Sequence, residues 1–137
     1  MTSPRVLIVD DNAMNVIVTQ EVLAADGFEI ESACDAFEAR ALIATFRPDL
    51  ILMDVQMPVV NGLTLTREIK ADPASRHIVI VAYTAFAMQG DEAKMRAAGC
   101  DGYLSKPINV NKFAAQVRAC LAAAAPARVF DRPASAN

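Results

Sequence analysis

Short runs of consecutive apolar residues, separated by segments with helical periodicity, constrain the fold of this chain most. The runs over 6–9, 50–53 and 78–83 are too short for core helices and suit strands that are buried on both faces. Residues 28–31 alternate between apolar and polar side chains, as an outer strand does, and 102–105 form a short fifth strand. A helical pattern follows each predicted strand, so strand and helix alternate five times.

This alternation predicts an α/β fold, in which a five-stranded parallel sheet carries helices on both of its faces. Right-handed crossovers between parallel strands leave few other topologies. We expect one domain over residues 1–124 and a mobile tail, rich in Ala, Pro and Ser, over 125–137. The last helix is expected to end at Pro126, because proline does not continue a helix.

The starts and the buried faces of the first two helices can also be predicted. Asn12 and Asp35 stand where N-caps are expected, directly before the two helical patterns. Helical spacing then directs Met14, Val18, Val22 and Leu23 of the first helix towards the core. It does the same for Phe37, Ala41, Leu42 and Phe46 of the second helix.

The composition places the chain among globular proteins and excludes several classes of function. Its 137 residues, 54% of them hydrophobic, are enough for a core. A net charge of −3 argues against direct binding of nucleic acid, which needs a basic surface. No apolar run is long enough for membrane insertion or a signal peptide. Cys34, Cys100 and Cys120 suit a reducing cytoplasm, and we expect each to be a small buried hydrophobic residue.

Reactive side chains follow four of the five predicted strands. Asp10 and Asp11 follow the first strand, Asp54 follows the third, Thr84 ends the fourth and Lys106 follows the fifth. The carboxyl ends of parallel strands lie along one edge of a sheet, which is where ligands bind in open α/β sheets. The sequence therefore predicts a single site that contains three carboxylates, one hydroxyl and one ammonium group.

This set of groups favours phosphoryl chemistry with a magnesium ion. Carboxylates that lie close together need a compensating cation, and hard oxygen ligands suit Mg²⁺. Lys106 and Thr84 can stabilise phosphoryl oxygens, and Asp54 can itself be the nucleophile that forms an aspartyl phosphate. Gln56 stands two residues after Asp54, where an aspartate-based phosphatase would have its second acid. A Mg²⁺-dependent phosphohydrolase on a similar fold nevertheless stays open as the alternative.

At these positions the sequence resembles the receiver domain of two-component response regulators, with its (βα)5 flavodoxin/CheY-like fold. The resemblance is carried by the pair Asp10–Asp11, the acceptor segment 52–58, the following Gly62 and the pairs 84–85 and 106–107. It extends from Arg5 to about Leu121. The segment 84–92, with 99–100 and 105–108, looks most similar to DivK-type single-domain regulators and to receivers of hybrid histidine kinases.

The resemblance implies a role for each side chain of the site. Asp54 would be the phosphoacceptor, and Asp11 and Asp54 would bind Mg²⁺ directly, together with the backbone carbonyl of Gln56. Asp10 would bind the metal through water. Lys106 and Thr84 would stabilise the phosphate. Thr84 would also form a switch with Tyr103. One departure is Tyr83, which is larger and more polar than the family leads us to expect next to Thr84.

The expected function is that of a bacterial single-domain response regulator in phosphorelay signalling. A sensor histidine kinase or a histidine phosphotransfer protein would supply the phosphoryl group. The downstream protein target would bind the face formed by the fourth helix, the fifth strand and the fifth helix. The protein would not be an enzyme beyond phosphorylating and dephosphorylating itself. The residues after Leu121 are too few for a DNA-binding output domain.

Overall fold

Five strands and five helices alternate along the chain in the computed structural model. It describes residues 4–54, 62–84, 89–105 and 110–131, and for 84, 89–92, 105 and 123–131 it describes the backbone alone. The elements are β1 (Arg5–Val9), α1 (Ala13–Ala25), β2 (Glu29–Ala33), α2 (Ala36–Phe46), β3 (Leu50–Met53), α3 (Gly62–Ala71), β4 (Val79–Thr84), α4 (Gln89–Ala98), β5 (Gly102–Ser105) and α5 (Phe113–Asp131).

The strands form one parallel sheet in the order β2-β1-β3-β4-β5. The predicted fold class is therefore confirmed. The three apolar runs of the sequence become the inner strands β1, β3 and β4, which are buried on both faces. The alternating segment becomes β2 at one edge of the sheet, where its side chains are exposed or partly buried up to the buried Ala33.

Each face of the sheet carries its own apolar layer. On one face Leu23 of α1 packs with Phe113 and Val117 of α5 against the sheet. On the other face, the packed helices are α2, α3 and α4; their buried contacts include Ala39, Leu65 and Met95. We refer to these as the α1/α5 layer and the α2/α3/α4 layer.

The orientation of α1 differs from the sequence prediction. Asn12 does cap the helix, since its side-chain oxygen accepts a hydrogen bond from the Asn15 amide at 3.1 Å. Thr19 and Leu23, however, are its buried residues, whereas Met14 is 69% exposed and Val18 is 40% exposed. The prediction was thus right for Leu23 and, since Val22 packs partly buried against the α1/α5 layer, for Val22 as well, but it was wrong for Met14 and Val18. The reason is that α1 has apolar residues on most of its circumference. Periodicity alone cannot select the buried face of such a helix.

The prediction for α2 was right about its start and only partly right about its face. Leu42 packs partly buried against the α2/α3/α4 layer as predicted, whereas Phe37 does not. Asp35 caps the helix by accepting a hydrogen bond from the Glu38 amide at 2.8 Å. The residues that pack on the sheet are the small Ala36 and Ala39, and Phe37 is 81% exposed. Small side chains let the helix approach the sheet closely, and Phe37 points away from it.

The last helix is longer than predicted. α5 continues through Pro126 to Asp131, so the expected end at Pro126 was wrong. The alanines before Pro126 are strong helix formers, and a proline removes only one donor from the helix. Among the described helices, none has the length and apolar character that crossing a membrane requires.

A polar cluster joins α3, β4 and β5 at the edge of the sheet where the strands begin. The Lys70 ammonium donates to the carbonyl of Ile78 at 2.7 Å and to Asp101 Oδ2 at 2.8 Å. The same carboxylate oxygen accepts the Ile80 amide at 2.9 Å. Gly99 lies against this lysine at a φ of +110°, where a Cβ atom would come within 2.8 Å of Lys70 Cγ. The cluster fixes the start of β4 relative to β5.

Candidate functional site

The register of β1 and β3 brings two of the predicted acids side by side. Val9 pairs with Met53, so Asp10 and Asp54 follow the paired residues at the carboxyl edge. The Asp54 amide donates to the Val9 carbonyl at 2.9 Å, which extends the ladder by one residue. The Asp10 amide donates to the carbonyl of Ala33 on β2 at 3.0 Å. Backbone hydrogen bonds thus fix the positions of both acids.

Asp11 completes a cluster of three carboxylates, which we call the acidic triad. Asp10, Asp11 and Asp54 each offer one carboxylate oxygen, and these oxygens lie within 4.8 Å of one another. Asp10 is 1% exposed and Asp54 is 6% exposed, while Asp11 is open to solvent. The sequence prediction that the ends of β1 and β3 meet is confirmed in its geometry. Two of the three acids are largely withdrawn from water.

The acidic triad fits a hard divalent cation. Three anionic oxygens at such short separations repel one another, and a cation between them offsets that repulsion. Asp10 is held in place because its Oδ1 accepts a hydrogen bond from the Asn12 amide at 2.9 Å. Oxygen-only ligands with an open side towards solvent, here at Asp11, match the preference of Mg²⁺ for a partly hydrated site.

The hydroxyl and switch residues lie on the neighbouring strands. Thr84 is the last residue of β4, and its backbone pairs with Ser105 of β5. Tyr103 pairs with Ala82 and is partly buried against the α2/α3/α4 layer. The backbone of Thr84 therefore reaches the same edge as the triad. Two further predicted site residues, Gln56 and Lys106, lie outside the described residues.

Tyr83, which the sequence marked as unusual, is a core residue with a polar contact. It is 2% exposed, and its phenol oxygen lies 3.3 Å from Oγ1 of Thr19, which is fully buried on α1. Its ring packs against Phe113 of α5, with centroids 5.8 Å apart. Sequence reasoning missed Thr19. The available signal was a single threonine on a helix whose neighbouring positions are apolar.

A second group of possible metal ligands lies at the start of α2, and its members are used differently. Cys34, Asp35 and Glu38 each offer one atom within 4.8 Å of the others, and none of them is buried. Asp35 Oδ1 accepts the Glu38 amide, and Glu38 Oε1 accepts the Cys34 amide at 2.8 Å. This arrangement resembles a capping box in which Glu38 accepts the amide of Cys34 in place of the N-cap amide, and we refer to it by that name. The carboxylates thus already serve the helix start.

The cysteines differ from one another in exposure. Cys100 is buried and Cys120 is partly buried, and burial raises the pKa of both thiols. Cys34 is exposed, so the prediction that it is a buried hydrophobic residue was wrong. Its thiol pKa is also raised, chiefly by its hydrogen bond to Glu38. All three remain thiols at neutral pH, which argues against a nucleophilic role.

A large cavity among the described residues does not coincide with the acidic triad. It has a volume of about 730 Å³ and lies between α2 and α3, where Pro48 and Ile78 precede β3 and β4. This is the edge of the sheet opposite the triad. The cavity and the acidic triad are therefore separate features at opposite edges of the sheet.

Comparison with protein families gives one match over most of the chain. The model of the response regulator receiver domain matches residues 6–118. Among curated relatives, the polar-differentiation response regulator DivK of Brucella anthropi is 44% identical over 116 residues. That alignment covers 85% of this chain and 94% of the relative. The DivK protein of Brucella ovis is 43% identical over the same length.

Solved structures share the fold. Chemotaxis protein CheY4 of Vibrio cholerae superposes with a TM-score of 0.82 at 27% identity, over 87% of this chain and 99% of that one. The receiver domain of a sensor histidine kinase from Pseudomonas aeruginosa gives a TM-score of 0.79 at 32% identity, over 88% and 99%. The latter is described with a magnesium ion in its active-site cleft. Nothing in these matches supports the phosphohydrolase alternative.

Proposed function

Because the chain belongs to the family of response regulator receiver domains, which act in two-component phosphorelay signalling, we propose that Asp54 is its phosphoacceptor. A carboxylate oxygen of Asp54 attacks the phosphorus of a phosphohistidine. The new P–O bond forms while the P–N bond breaks, and its electron pair stays on the imidazole nitrogen. The donor is a sensor histidine kinase or a histidine phosphotransfer protein.

The observation that carries this proposal is the position of Asp54 within the acidic triad. It ends the central strand β3, is 6% exposed, and has oxygens of Asp10 and Asp11 within 4.8 Å. The Asp54 amide extends the ladder between β1 and β3 through its bond to the Val9 carbonyl, so Asp54 is fixed at the carboxyl edge of the sheet beside Asp10.

Mg²⁺ is the cofactor that the triad would hold. Asp11 and Asp54 would bind it directly, with the backbone carbonyl of Gln56, and Asp10 would bind it through water. When bound, the ion offsets negative charge on the phosphoryl oxygens. Support comes from the all-oxygen donor set and from the Pseudomonas receiver that is described with magnesium. Asp10, held by the Asn12 amide, keeps the metal side of the site in a fixed orientation.

Thr84 and Lys106 would complete the phosphoryl site from the other side. The Thr84 hydroxyl would donate a hydrogen bond to one phosphoryl oxygen, and the Lys106 ammonium would act as a compact positive charge. The position of Thr84 at the end of β4 supports this role. Phosphorylation adds charge and acceptor oxygens next to that strand end, so it favours the state in which Thr84 faces the phosphate.

Tyr103 would pass this change to a partner-binding face. It pairs with Ala82, two residues before Thr84, and its ring is only partly buried. If Thr84 turns towards the phosphate, Tyr103 can fill the vacated volume, because close-packed interiors do not keep such space empty. The face formed by α4, β5 and α5 would then bind the downstream protein target differently in the two states.

The protein would catalyse only its own phosphorylation and dephosphorylation, without turnover of other substrates. The three free cysteines, among the described residues, suit the reducing cytoplasm as its compartment. The division into a receiver over 1–124 and a mobile tail over 125–137 stays a prediction.

The acceptor is tested with two isosteric substitutions. Asp54→Asn should abolish labelling, both from a phosphorylated histidine kinase and from a small acyl-phosphate donor with Mg²⁺. The control is Asp35→Asn, which lies at the same edge and keeps its capping role because asparagine caps as well as aspartate. The control should be labelled like the wild type. Equal labelling of Asp54→Asn and the wild type would refute the assignment.

The switch is tested separately with Thr84→Ala. This variant should still be phosphorylated but should lose phosphorylation-dependent partner binding. Amide resonances of residues 84–117 should respond less to a phosphate mimic than those of the wild type. If the partner still discriminates between the two states, the signal does not pass through Thr84 and Tyr103.

A further inference from the structure

Tyr83 joins three elements of the α1/α5 layer. It lies on β4, its phenol oxygen is 3.3 Å from Thr19 Oγ1 on α1, and its ring packs against Phe113 of α5. Both hydroxyl-bearing residues are buried, with Thr19 at 0% exposure. The contact spans a sequence separation of 64 residues, so it is a tertiary link between a helix and a strand.

Packing alone does not account for a phenol at this position. A phenylalanine would fill the same space beside Phe113 without bringing a polar oxygen into an apolar layer. Burying a hydroxyl is unfavourable unless it is hydrogen-bonded, and the Thr19 hydroxyl makes this one hydrogen bond within the described part of the chain. Separating the two oxygens would leave the Thr19 hydroxyl buried and unsatisfied. The pair therefore resists relative movement of α1 and β4.

The same two elements carry opposite sides of the phosphoryl site. α1 starts directly after Asp10 and Asp11, and the hydrogen bond from the Asn12 amide to Asp10 Oδ1 ties that start to the acidic triad. β4 ends at Thr84, the residue after Tyr83. β1 and β4 share no backbone ladder because β3 lies between them. The hydrogen bond between Thr19 and Tyr83 thus links α1, which begins beside the acidic triad, to β4, which ends at Thr84.

We infer that Tyr83 is a positioning residue, which acts through the backbone of Thr84. With Thr19 it holds the end of β4 at a fixed distance from α1, so that the hydroxyl of Thr84 meets a phosphoryl group bound at the acidic triad. A preorganised donor binds developing or transferred charge more strongly than one that must first be ordered. This inference rests on the proposed function of the same site and adds a residue that tunes it.

The test uses Tyr83→Phe, Thr19→Val and the double variant. Each single change breaks the hydrogen bond between Thr19 and Tyr83 and should lower the melting temperature by roughly 3–8 °C. The double variant removes both hydroxyls and keeps nearly the same shapes, so its melting temperature should return towards that of the wild type. The double variant should recover the melting temperature of the wild type but not its affinity for a phosphate mimic. An effect on positioning is thereby distinguished from an effect on stability.

The measured property is the affinity for beryllofluoride, a phosphate mimic, in the presence of saturating Mg²⁺. Tyr83→Phe and the double variant should bind the mimic about 3- to 10-fold more weakly, the range expected for loss of one preorganised hydrogen bond. Their affinity for Mg²⁺ alone should not change, because the triad is held by β1 and β3. In a Thr84→Ala background, Tyr83→Phe should have no further effect on mimic binding.

Ser75→Ala is the matched control. The Ser75 hydroxyl is also buried and donates to the Ile69 carbonyl at 2.8 Å, but it lies near the opposite edge of the sheet. Its loss should reduce stability without weakening mimic binding. A double variant that binds the mimic like the wild type would overturn the inference, as would an undiminished Tyr83→Phe effect in the Thr84→Ala background. If the wild type itself fails to bind the mimic or to be labelled, the proposed function fails instead.

Discussion

Two groups of acidic side chains lie at the carboxyl edge of the sheet, and they differ in their burial and in the hydrogen bonds that they accept. Both satisfy the same distance criterion for a metal site, with ligand atoms within 4.8 Å. In the group of Cys34, Asp35 and Glu38, the carboxylates accept backbone amides and form a capping box at the surface. In the acidic triad, Asp10 and Asp54 are buried at the ends of inner strands. Proximity of acids is therefore a weak criterion, and burial at the ends of inner strands is a better one.

The largest expected difference between the two groups is in magnesium binding. Asp11→Asn removes one anionic ligand and should weaken Mg²⁺ binding at least ~10-fold, the loss that even an outer partner of a metal ligand causes. At a Mg²⁺ concentration of 100 times the wild-type Kd, the ion should stabilise the wild type by about 2.7 kcal/mol and the variant by about 1.4 kcal/mol. Thermal unfolding with and without Mg²⁺ measures both values.

Asp35→Asn serves again as the control for this prediction, since it changes an acid in the other group. Its Mg²⁺-dependent stabilisation should equal that of the wild type. If Asp11→Asn and Asp35→Asn lose the same amount of Mg²⁺ binding, the distinction between the two groups is wrong.

A smaller effect is expected when the capping box is broken. Asp35→Ala removes the side chain that accepts the Glu38 amide and should lower the free energy of unfolding by about 1 kcal/mol. Mg²⁺ affinity and labelling of Asp54 should stay unchanged, because α2 contributes no side chain to the triad. Urea unfolding measures the stability. A loss of labelling in this variant would show that the two groups are coupled.

The smallest effect concerns the thiol of Cys34. The hydrogen bond to Glu38, assisted by the charge of Glu38, raises the pKa of this thiol and lowers the fraction of reactive thiolate at a given pH. Glu38→Gln should therefore shift the pH profile of Cys34 alkylation by iodoacetamide to lower pH. Rates are measured with Cys100 and Cys120 replaced by alanine. An unchanged profile would mean that Glu38 does not control this thiol.

The site geometry that the sequence predicted follows from general rules for parallel sheets. The three apolar runs form the inner strands, and their carboxyl ends lie at one edge. That alignment brings Asp10 close to Asp54. The rotational setting of the helices could be predicted only in part, since Leu23 and Leu42 face the core as expected and other residues do not. Met14 and Phe37 are apolar and have the correct spacing, yet smaller or more polar residues such as Thr19 and Ala39 are buried in α1 and α2.

Tyr83 shows a second limit of sequence reasoning. Its size and polarity mark it as unusual next to Thr84, but its partner is 64 residues earlier in the chain. Only the packing of α1 over the sheet brings Thr19 to it, and no local pattern reports such a contact. The overrun of α5 past Pro126 is a similar case, in which the helix propensity of the preceding alanines outweighs one missing donor.

The strand order also has a consequence for how the chain folds during synthesis. β2 and β3 pair with β1, β4 pairs with β3, and β5 pairs with β4. Each later strand therefore pairs with a strand that the ribosome has already synthesised. All three acids of the triad lie within the first 54 residues, whereas Thr84 lies on a strand that is added later. Since a small domain folds cooperatively as a unit, we expect a nascent chain to assemble its cation-binding carboxylates only after β4 and β5 have also been synthesised.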